Sequence, residues 1–397
     1  MRKSILMVML LVVSLLAGRA MADETNIHGS ISQGFLKTTN FNYLTDDSKE
    51  GIYQFNEMNA NFSNRISEQF HIGFGLSSRN LGEFGGTEVE LNWAYGDYRF
   101  KDYLGLRIGR IKMPIGLYNE TREMDMFRTC IILPPVYPEA YRDFWSHLDG
   151  AGIYGNIQTG PLGTFSYQVT IGTEKVPADG GTALYYNERL SALDAHISRI
   201  HVVDTVSSFN LKWETPLPGL ELNQSYLDLG TPELTSSFYH PALGDLNGII
   251  YGKDMFITFS SLKYDYNNFS FAAEYFDFEF DSMIITDDGF KLLDSKETKI
   301  MGWYVNPTYR FTNWFEMGTY YSEFYPTKQE RDTEYLKDLC LSLRFDLNPN
   351  WIVKLEGHRL KGIGYVVQSH NPTKDFSSGD YNNEQWSMFA AKVTYNF

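Results

Sequence analysis

The sequence predicts a transmembrane antiparallel β-barrel of about 16 strands, formed by a single domain. Aromatic residues make up 16% of its 397 residues and charged residues 21%, and the mean hydropathy is -0.31. A barrel strand needs this mixture, because one of its faces meets lipid, the other meets water, and aromatic girdles lie at both interfaces. Short turns also alternate with long polar connections along the chain, which is the asymmetry between the two ends of such a barrel.

The spacing of the turn signals gives the number of strands. Short segments rich in strand-breaking residues predict seven tight turns, near residues 67–69, 101–102, 159–161, 216–219, 267–268, 312–313 and 348–350. Eight longer connections are predicted at residues 36–51, 80–87, 112–148, 174–201, 230–253, 281–296, 326–335 and 362–384. Seven turns and eight loops join 16 strands, an even number, as in single-chain bacterial barrels.

The predicted strands alternate between an apolar and a polar face. Leu339 and Leu341, for example, alternate with Asp338, Cys340 and Ser342. A soluble sandwich would show the same alternation, with the apolar face as its core. Strand lengths of about 9 to 12 residues and the regular sequence of short turns and long loops favour the barrel. The same alternation occurs at residues 90–95, 165–171 and 353–358.

Residues 1–22 are predicted to be a secretory signal peptide. Arg2 and Lys3 precede an apolar run over residues 5–16, and Ala20 and Ala22 are the small residues that a signal peptidase reads. The alternative, a membrane-anchoring helix, needs about 20 apolar residues, more than this run provides. We therefore expect export, cleavage after Ala22, and one barrel domain over residues 23–397.

The other end of the chain is predicted to be a strand. Residues 390–397 alternate polar with apolar or aromatic side chains up to Phe397. This pattern resembles the closing strand of a bacterial outer-membrane β-barrel. The expected location is therefore the cell outer membrane of a Gram-negative bacterium, with the outer-membrane lipid as a partner.

Charge and cysteine content exclude several classes of protein. The formal net charge is -15, and such acidity argues against nucleic acid as a partner. The two cysteines, Cys130 and Cys340, are too few and too far apart in sequence for a disulfide framework or a metal cluster. We expect no cofactor and no metal, and we expect the cysteines to be two independent thiols rather than a bridge.

Three segments carry a resemblance to a known family. Residues 27–35, 91–99 and 104–123 look like a group of uncharacterised Gram-negative porins, which is similar to the phosphate-selective porins and to the trimeric dicarboxylate porins. In those families a strand with the pattern Gly-Arg-x-Lys-x-Pro-x-Gly, here residues 109–116, leads into a constriction loop. The resemblance implies a homotrimer of water-filled channels through which small polar solutes and ions diffuse passively.

The same segment supplies the predicted pore constriction, and we expect the long loop over residues 112–148 to fold inward into the barrel. A basic group on two strands and at the start of the longest loop is followed by acidic residues within that loop, and a transverse field between them would orient polar solutes. The alternative is that these charges neutralise one another and fix the loop in place. The residues predicted to form the constriction are Arg99, Arg107, Arg110, Lys112, Glu120, Arg122, Glu123 and Asp125.

The charge balance does not favour a phosphate channel. Phosphate porins line their channel with an excess of basic residues, whereas this chain has 34 basic and 49 acidic residues. Several positions in the polar phase of the strands are acidic, so we leave the preference between cations and anions open. These acidic positions are Glu90, Glu214, Glu274, Glu316, Asp338 and Glu356.

Three other kinds of protein remain as alternatives. An outer-membrane barrel enzyme of the lipase or protease type needs a Ser/His or Asp/His group on one rim, but the loop histidines are scattered and no G-x-S-x-G elbow occurs. A plugged importer needs a domain before the first strand, which begins about five residues after the cleavage site. A secreted sugar-binding sandwich would not explain the terminal Phe397. The scattered histidines are His147, His196, His201, His240 and His370.

Overall fold

The structure is a computed structural model that describes residues 25–82, 84–85, 87–327 and 331–397. The predicted signal peptide lies outside the described residues. Within them, eighteen strands form one antiparallel sheet. The strands are β1 (Thr25–Thr38), β2 (Phe55–Arg65), β3 (Phe70–Leu81), β4 (Glu90–Lys101), β5 (Leu104–Lys112), β6 (His147–Gln158), β7 (Thr164–Thr173), β8 (His196–Val202), β9 (Val206–Glu214), β10 (Leu220–Asp228), β11 (Pro232–His240), β12 (Gly244–Tyr266), β13 (Phe269–Thr286), β14 (Lys291–Thr312), β15 (Phe315–Tyr325), β16 (Leu336–Asp346), β17 (Trp351–Lys361) and β18 (Gln385–Asn396).

The sheet closes on itself through its first and last strands. β1 pairs with β2 on one side and with β18 on the other, in a register that runs from Ser30 opposite Asn396 to Thr38 opposite Met388. Beyond this ladder, Gly29 and Phe397 exchange backbone hydrogen bonds of 3.0 Å. The prediction that the C-terminal strand closes a barrel is confirmed.

Two barrel positions hold an interrupted strand each. β9 pairs antiparallel with β7 and β10, and β8 pairs antiparallel with β11. Only residues 203–205 separate β8 from β9, and residues 229–231 separate β10 from β11. Each of these two pairs is therefore one long strand with a break, and the eighteen segments occupy 16 positions around the barrel. The predicted fold class and strand number are confirmed.

All seven predicted tight turns join neighbouring strands, but three of the predicted loops are largely regular structure. The connection over 174–201 holds most of β8, the one over 230–253 holds β11 and the start of β12, and the one over 281–296 is the end of the β13–β14 hairpin. β12 has 23 residues, whereas a tilted strand crosses a bilayer with about 9–11. These polar segments were predicted as loops because the lipid-facing pattern ends there, yet the strands continue beyond it.

Within the described part of the chain, two short α-helices lie in the connections between strands, α1 (Arg142–Trp145) and α2 (Gly181–Arg189). Among the described residues, no helix is both long enough and apolar enough to cross a membrane.

The faces of the barrel are the reverse of those in a soluble protein. On β16, Leu339 and Leu341 are 52% and 49% exposed. The residues that alternate with them, Asp338 and Cys340, are 2% and 0% exposed. Soluble proteins bury leucine and expose carboxylates. The outward side chains suit lipid, and the polar side chains point into the lumen. The same holds on β17, where Leu355 is exposed and its charged neighbours are buried; these neighbours are Lys354, Glu356 and His358.

A hydrophobic core lies inside the barrel, between the longest loop and one half of the wall. Val136, Tyr137 and Trp145 of the loop are 0–2% exposed and belong to one apolar cluster with Phe259 and Phe276 of β12 and β13. The ring centroids of Trp145 and Phe276 are 5.8 Å apart, edge to face. Such packing fixes the loop within the lumen and leaves little space on that side of the barrel.

A row of glycines crosses the sheet beside the start of this loop. Gly109 on β5 faces Gly150 on β6, which faces Gly172 on β7. A Cβ atom on Gly150 would lie 2.1 Å from the Ile171 carbonyl oxygen, closer than real Cβ contacts allow, whereas one on Gly357 of β17 meets nothing within 4 Å. The three strands therefore approach more closely here than side chains permit.

We predict that Gly150→Ala destabilises the folded barrel and that Gly357→Ala does not. The added methyl group at residue 150 must push the β6 and β7 backbones apart, at a cost of about 1–3 kcal/mol. The measurement is the temperature at which the folded, faster-migrating form is lost on unheated gels. Equal melting temperatures for the two variants would contradict the close approach.

Candidate pore constriction

The loop between β5 and β6, residues 113–146, crosses the lumen and contacts the opposite wall. The backbone N–H of Gly116 donates to Ser225 Oγ on β10 at 3.1 Å. Farther along, Arg344 on β16 donates to the Met126 carbonyl oxygen at 2.6 Å, close to the tight turns that end β14 and β16. The loop thus extends from the long-loop end of the barrel to its short-turn end. The longest loop therefore lies inside the barrel, as the sequence predicted.

Carboxylates on the wall accept hydrogen bonds from the loop backbone. Glu356 on β17 accepts from the N–H groups of Ile131 and Ile132 at 2.6 and 2.9 Å. Glu274 on β13 accepts from the N–H of Leu117 at 2.8 Å and from the Tyr137 hydroxyl at 2.6 Å. The loop has little regular structure, so its buried donors need partners outside its own backbone. Glu274 and Glu356 supply them, and these carboxylates are anchors rather than channel lining.

Cations on the wall bind the carbonyl groups of the same loop. Lys354 Nζ on β17 donates to the carbonyl oxygens of Asp125 and Arg128 at 2.7 and 2.8 Å, and it lies 3.0 Å from the Asp125 carboxylate. Lys392 on β18 lies 3.4 Å from the same carboxylate. Burial alone would raise the pKa of Asp125, but Lys354 and Lys392 hold it well below its usual range. Asp125 is therefore ionised and fixed to the wall.

The other charged loop residues form a second buried network. Glu123 pairs with Lys112 at the end of β5 and, at 3.2 Å, with Arg142 of α1. Burial would raise the pKa of Glu123, and the two cations lower it well below the usual range. Arg122 is 2% exposed, donates to the Tyr137 carbonyl oxygen at 2.8 Å, and has a pKa lowered to about 10 by burial. For Lys112, Arg122, Glu123 and Asp125, the contacts match the alternative in which charges fix the loop.

The three strand arginines do not form one basic wall. The Arg107 guanidinium lies over the rings of Tyr95 and Tyr154, at 5.1 and 4.5 Å from their centroids, and pairs with Asp97 at 2.7 Å. Arg110 is three residues farther along β5, so it points to the opposite face, where it pairs with Asp149 at 2.7 Å.

Arg99 is exposed near the short turn between β4 and β5. Of the three arginines, Arg107 alone therefore lies on the lumen side near the loop.

The free space of the lumen lies along β2 to β9. Polar lumen residues on these strands are half-exposed, including Asn61, Asn210 and Lys212, whereas lumen residues of β12 to β18 are buried beneath the loop. The loop also contacts β2, where Asn59 donates to the Glu123 carbonyl oxygen at 2.9 Å. Glu120 is the acid of the loop segment that faces this space. Burial of its carboxyl raises its pKa, and the positive charges of Arg107, Lys112 and Lys212 offset part of that rise. Sequence reasoning missed Lys212, although it alternates in phase with Asn210 on β9.

Two cavities lie on opposite sides of the loop, toward the two ends of the barrel. One, of about 380 Å³, is lined by loop and wall residues of both signs, including Arg79, Arg142 and Glu139. The other, of about 530 Å³, lies at the short-turn end and is lined by Phe127, Trp314 and other residues.

Both cysteines are buried and free. Cys130 lies in the loop and Cys340 on β16, and they are 5% and 0% exposed. Burial raises the pKa of the Cys130 thiol to about 12, so that thiol is protonated at neutral pH. The structure holds them as two separate thiols, as expected from the sequence.

The comparisons with known proteins show the fold. No protein-family model matches the sequence, and no curated protein matches it. OmpT of Vibrio cholerae, folded in vitro, has a TM-score of 0.56 at 8% identity over 96% of this chain and 99% of that chain. The outer membrane channel DcaP of Acinetobacter baumannii has a TM-score of 0.54 at 10% identity, over 96% and 99%.

An anion-selective porin from Comamonas acidovorans has a TM-score of 0.53 at 10% identity, over 94% of this chain and 99% of that chain. These likenesses establish a porin fold, and they do not distinguish among porin families.

Two buried carboxyl groups, Asp143 near the end of the loop and Glu174 beyond β7, have raised pKa values. Burial raises the pKa of Asp143 in α1 to about 6, against the hydrogen bonds it accepts from Thr182. Burial and the Asp143 charge raise the pKa of Glu174, directly after β7, well above its usual value. Glu174 is 8% exposed, and neither carboxylate oxygen has a hydrogen-bond partner. The folded state therefore binds protons more tightly than the unfolded chain does.

We predict that Asp143→Asn raises the melting temperature of the barrel by a few degrees at pH 7.5 and changes it little at pH 4.5. Above pH 6 the wild-type carboxylate is ionised in a buried place, which destabilises the folded state; as the pH falls through 6 it takes up a proton and this cost disappears. Asp179→Asn, an exposed carboxylate nearby, serves as the control. The same temperature difference at both pH values would show that Asp143 does not titrate in this range.

Proposed function

We propose that the protein is an outer-membrane porin through which small polar or charged solutes and ions diffuse passively. The observation that carries the proposal is the half-exposed polar wall of β2 to β9, which the loop covers less completely than it covers the lumen side of β12 to β18. Around it, exposed hydrophobic side chains lie on the outside of the barrel. A polar passage within an apolar cylinder is the arrangement that lets water-soluble molecules cross a bilayer.

The narrow level carries charge of both signs. We propose that Arg107 and Lys212 on the wall, with Glu120 on the loop opposite, set a transverse field across the passage. Arg107 is held rigidly by Asp97 and two tyrosine rings, so its charge keeps a fixed position. Lys112, Arg122, Glu123 and Asp125 hold the loop that carries Glu120, and Arg99 and Arg110 lie outside this level.

Location and assembly belong to the same proposal. The mature chain begins near Asp23, after cleavage of residues 1–22, and lies in the outer membrane of a Gram-negative bacterium as a homotrimer. The exposed hydrophobic residues of the outer surface support the membrane location, and the sequence resemblance supports the trimer.

The proposal assigns no catalysis to this barrel. An Asp–His pair of the kind used by hydrolases does occur, between Asp338 and His358 at 2.9 Å. Their side chains are 3% and 0% exposed, beneath the loop, where a lipid or peptide substrate has no access. We therefore assign this pair a structural role in the barrel wall.

The first test is conductance in a planar lipid bilayer. We expect stepwise current increases as purified protein inserts, and a larger conductance per step when residues 120–127 are deleted, because the deletion opens the narrow level. Currents that never exceed those of the detergent alone would refute the channel. An unchanged step size in the deletion variant would place the narrow level elsewhere.

The second test is ion selectivity. A unit charge about 4 Å from an ion contributes about 1 kcal/mol in water, so we expect Arg107→Gln to shift the permeability ratio severalfold toward cations. Glu120→Gln should shift it toward anions. Arg110→Gln is the matched control, since Arg110 lies on the same strand and points to the opposite face. Reversal potentials in a salt gradient report the ratio. Equal shifts for Arg107→Gln and Arg110→Gln would contradict the placement of Arg107 in the passage.

A further inference from the structure

A compact group of metal-binding side chains lies where the loop contacts β16 and β17. One ligand atom each from Cys340, Glu356 and His358 lies within 4.8 Å of the other two. The three residues are 0%, 1% and 4% exposed. Thiolate, imidazole and carboxylate are the three ligand types that zinc sites in proteins use.

The surroundings already orient these side chains as ligands. His358 Nδ1 lies 2.9 and 3.0 Å from the two oxygens of Asp338, and Nε2 lies 2.9 Å from Glu356 Oε1. A metal-bound histidine usually donates its other ring N–H to a carboxylate, which fixes the ring and its tautomer. Ser342 Oγ donates to Glu356 Oε2 at 2.7 Å, so the Glu356 carboxylate is held in place as well.

We propose that Cys340, Glu356 and His358 bind one zinc ion, with His358 coordinating through Nε2 and Asp338 orienting the ring from Nδ1. Zinc–ligand distances are about 2.0–2.3 Å, so the three ligand atoms need only small side-chain movements to meet one ion. The mixed set of sulfur, nitrogen and oxygen ligands favours zinc over calcium or magnesium, which take oxygen ligands. This proposal is independent of the channel function.

The ion would stabilise the loop through Glu356. This carboxylate accepts hydrogen bonds from Ile131 and Ile132 of the loop, so a metal that fixes Glu356 also fixes the loop against β16 and β17. Metal bound only in the folded state adds its binding free energy to stability. We therefore expect zinc to raise the melting temperature of the whole barrel.

The experiment loads the detergent-purified full-length mature protein with ZnCl₂ and measures bound zinc by mass spectrometry after gel filtration. We expect one zinc ion per chain and a higher melting temperature with zinc, because metal bound only by the folded state stabilises it. CoCl₂ in place of zinc should give the near-ultraviolet absorption of a cobalt–thiolate bond.

Matched variants separate the site from unspecific binding. Cys340→Ser should remove the cobalt–thiolate absorption and lower the zinc affinity at least tenfold, as loss of one ligand does. Cys130→Ser, which removes the buried thiol of the loop, should change neither. Absence of bound zinc from wild-type protein that is folded by the gel-shift criterion would overturn the proposal. A cobalt–thiolate absorption that survives in Cys340→Ser would also overturn the proposal, whether or not that absorption is lost in Cys130→Ser.

Discussion

The architecture of the lumen depends on a single requirement, that the buried backbone of the loop must find hydrogen-bond partners. Residues 113–146 cross the barrel with little regular structure, so few of their N–H and C=O groups are paired internally. Acidic and basic side chains of the wall meet the demand: Glu274 and Glu356 accept from N–H groups, and Lys354 donates to carbonyl oxygens. This explains why the strands of one half of the barrel carry buried charges, while those of the other half face water.

The fold was predictable because its signals are local. Each tight turn and each alternating strand is recognisable within about ten residues, and the aromatic-rich C-terminal strand indicated where the barrel closes. The prediction of loops was wrong where a strand extends beyond its lipid-facing pattern. In β11 to β14 the strand pairing continues past the lipid-facing pattern, and the polar sequence alone indicated loops at 230–253 and 281–296. The alternation of buried and exposed residues in β11 is regular, but it has no apolar outer face to distinguish it.

The site was less predictable, because it depends on which wall each loop residue faces. The sequence placed Glu120, Glu123 and Asp125 together as one acidic group, yet Asp125 pairs with residues 229 and 267 positions away along the chain. Nothing in the local pattern shows such partners. Lys212, which no motif marks, lies closer to the free passage than Arg99 or Arg110, which belong to the family-like segment. Chain position identified the loop, and three-dimensional contacts decided what each of its charges does.

The pairing of Asp125 with Lys354 and Lys392 has a consequence for the order of assembly. During synthesis the loop is made long before β17 and β18, so its acidic residues have no wall partners until the end of the chain is complete. Those same last strands close the barrel against β1. Loop docking and ring closure therefore depend on the same C-terminal segment. A chain truncated before β17 would lose its seam and leave the loop without its main anchor, so partial products would remain open and exposed to periplasmic proteases.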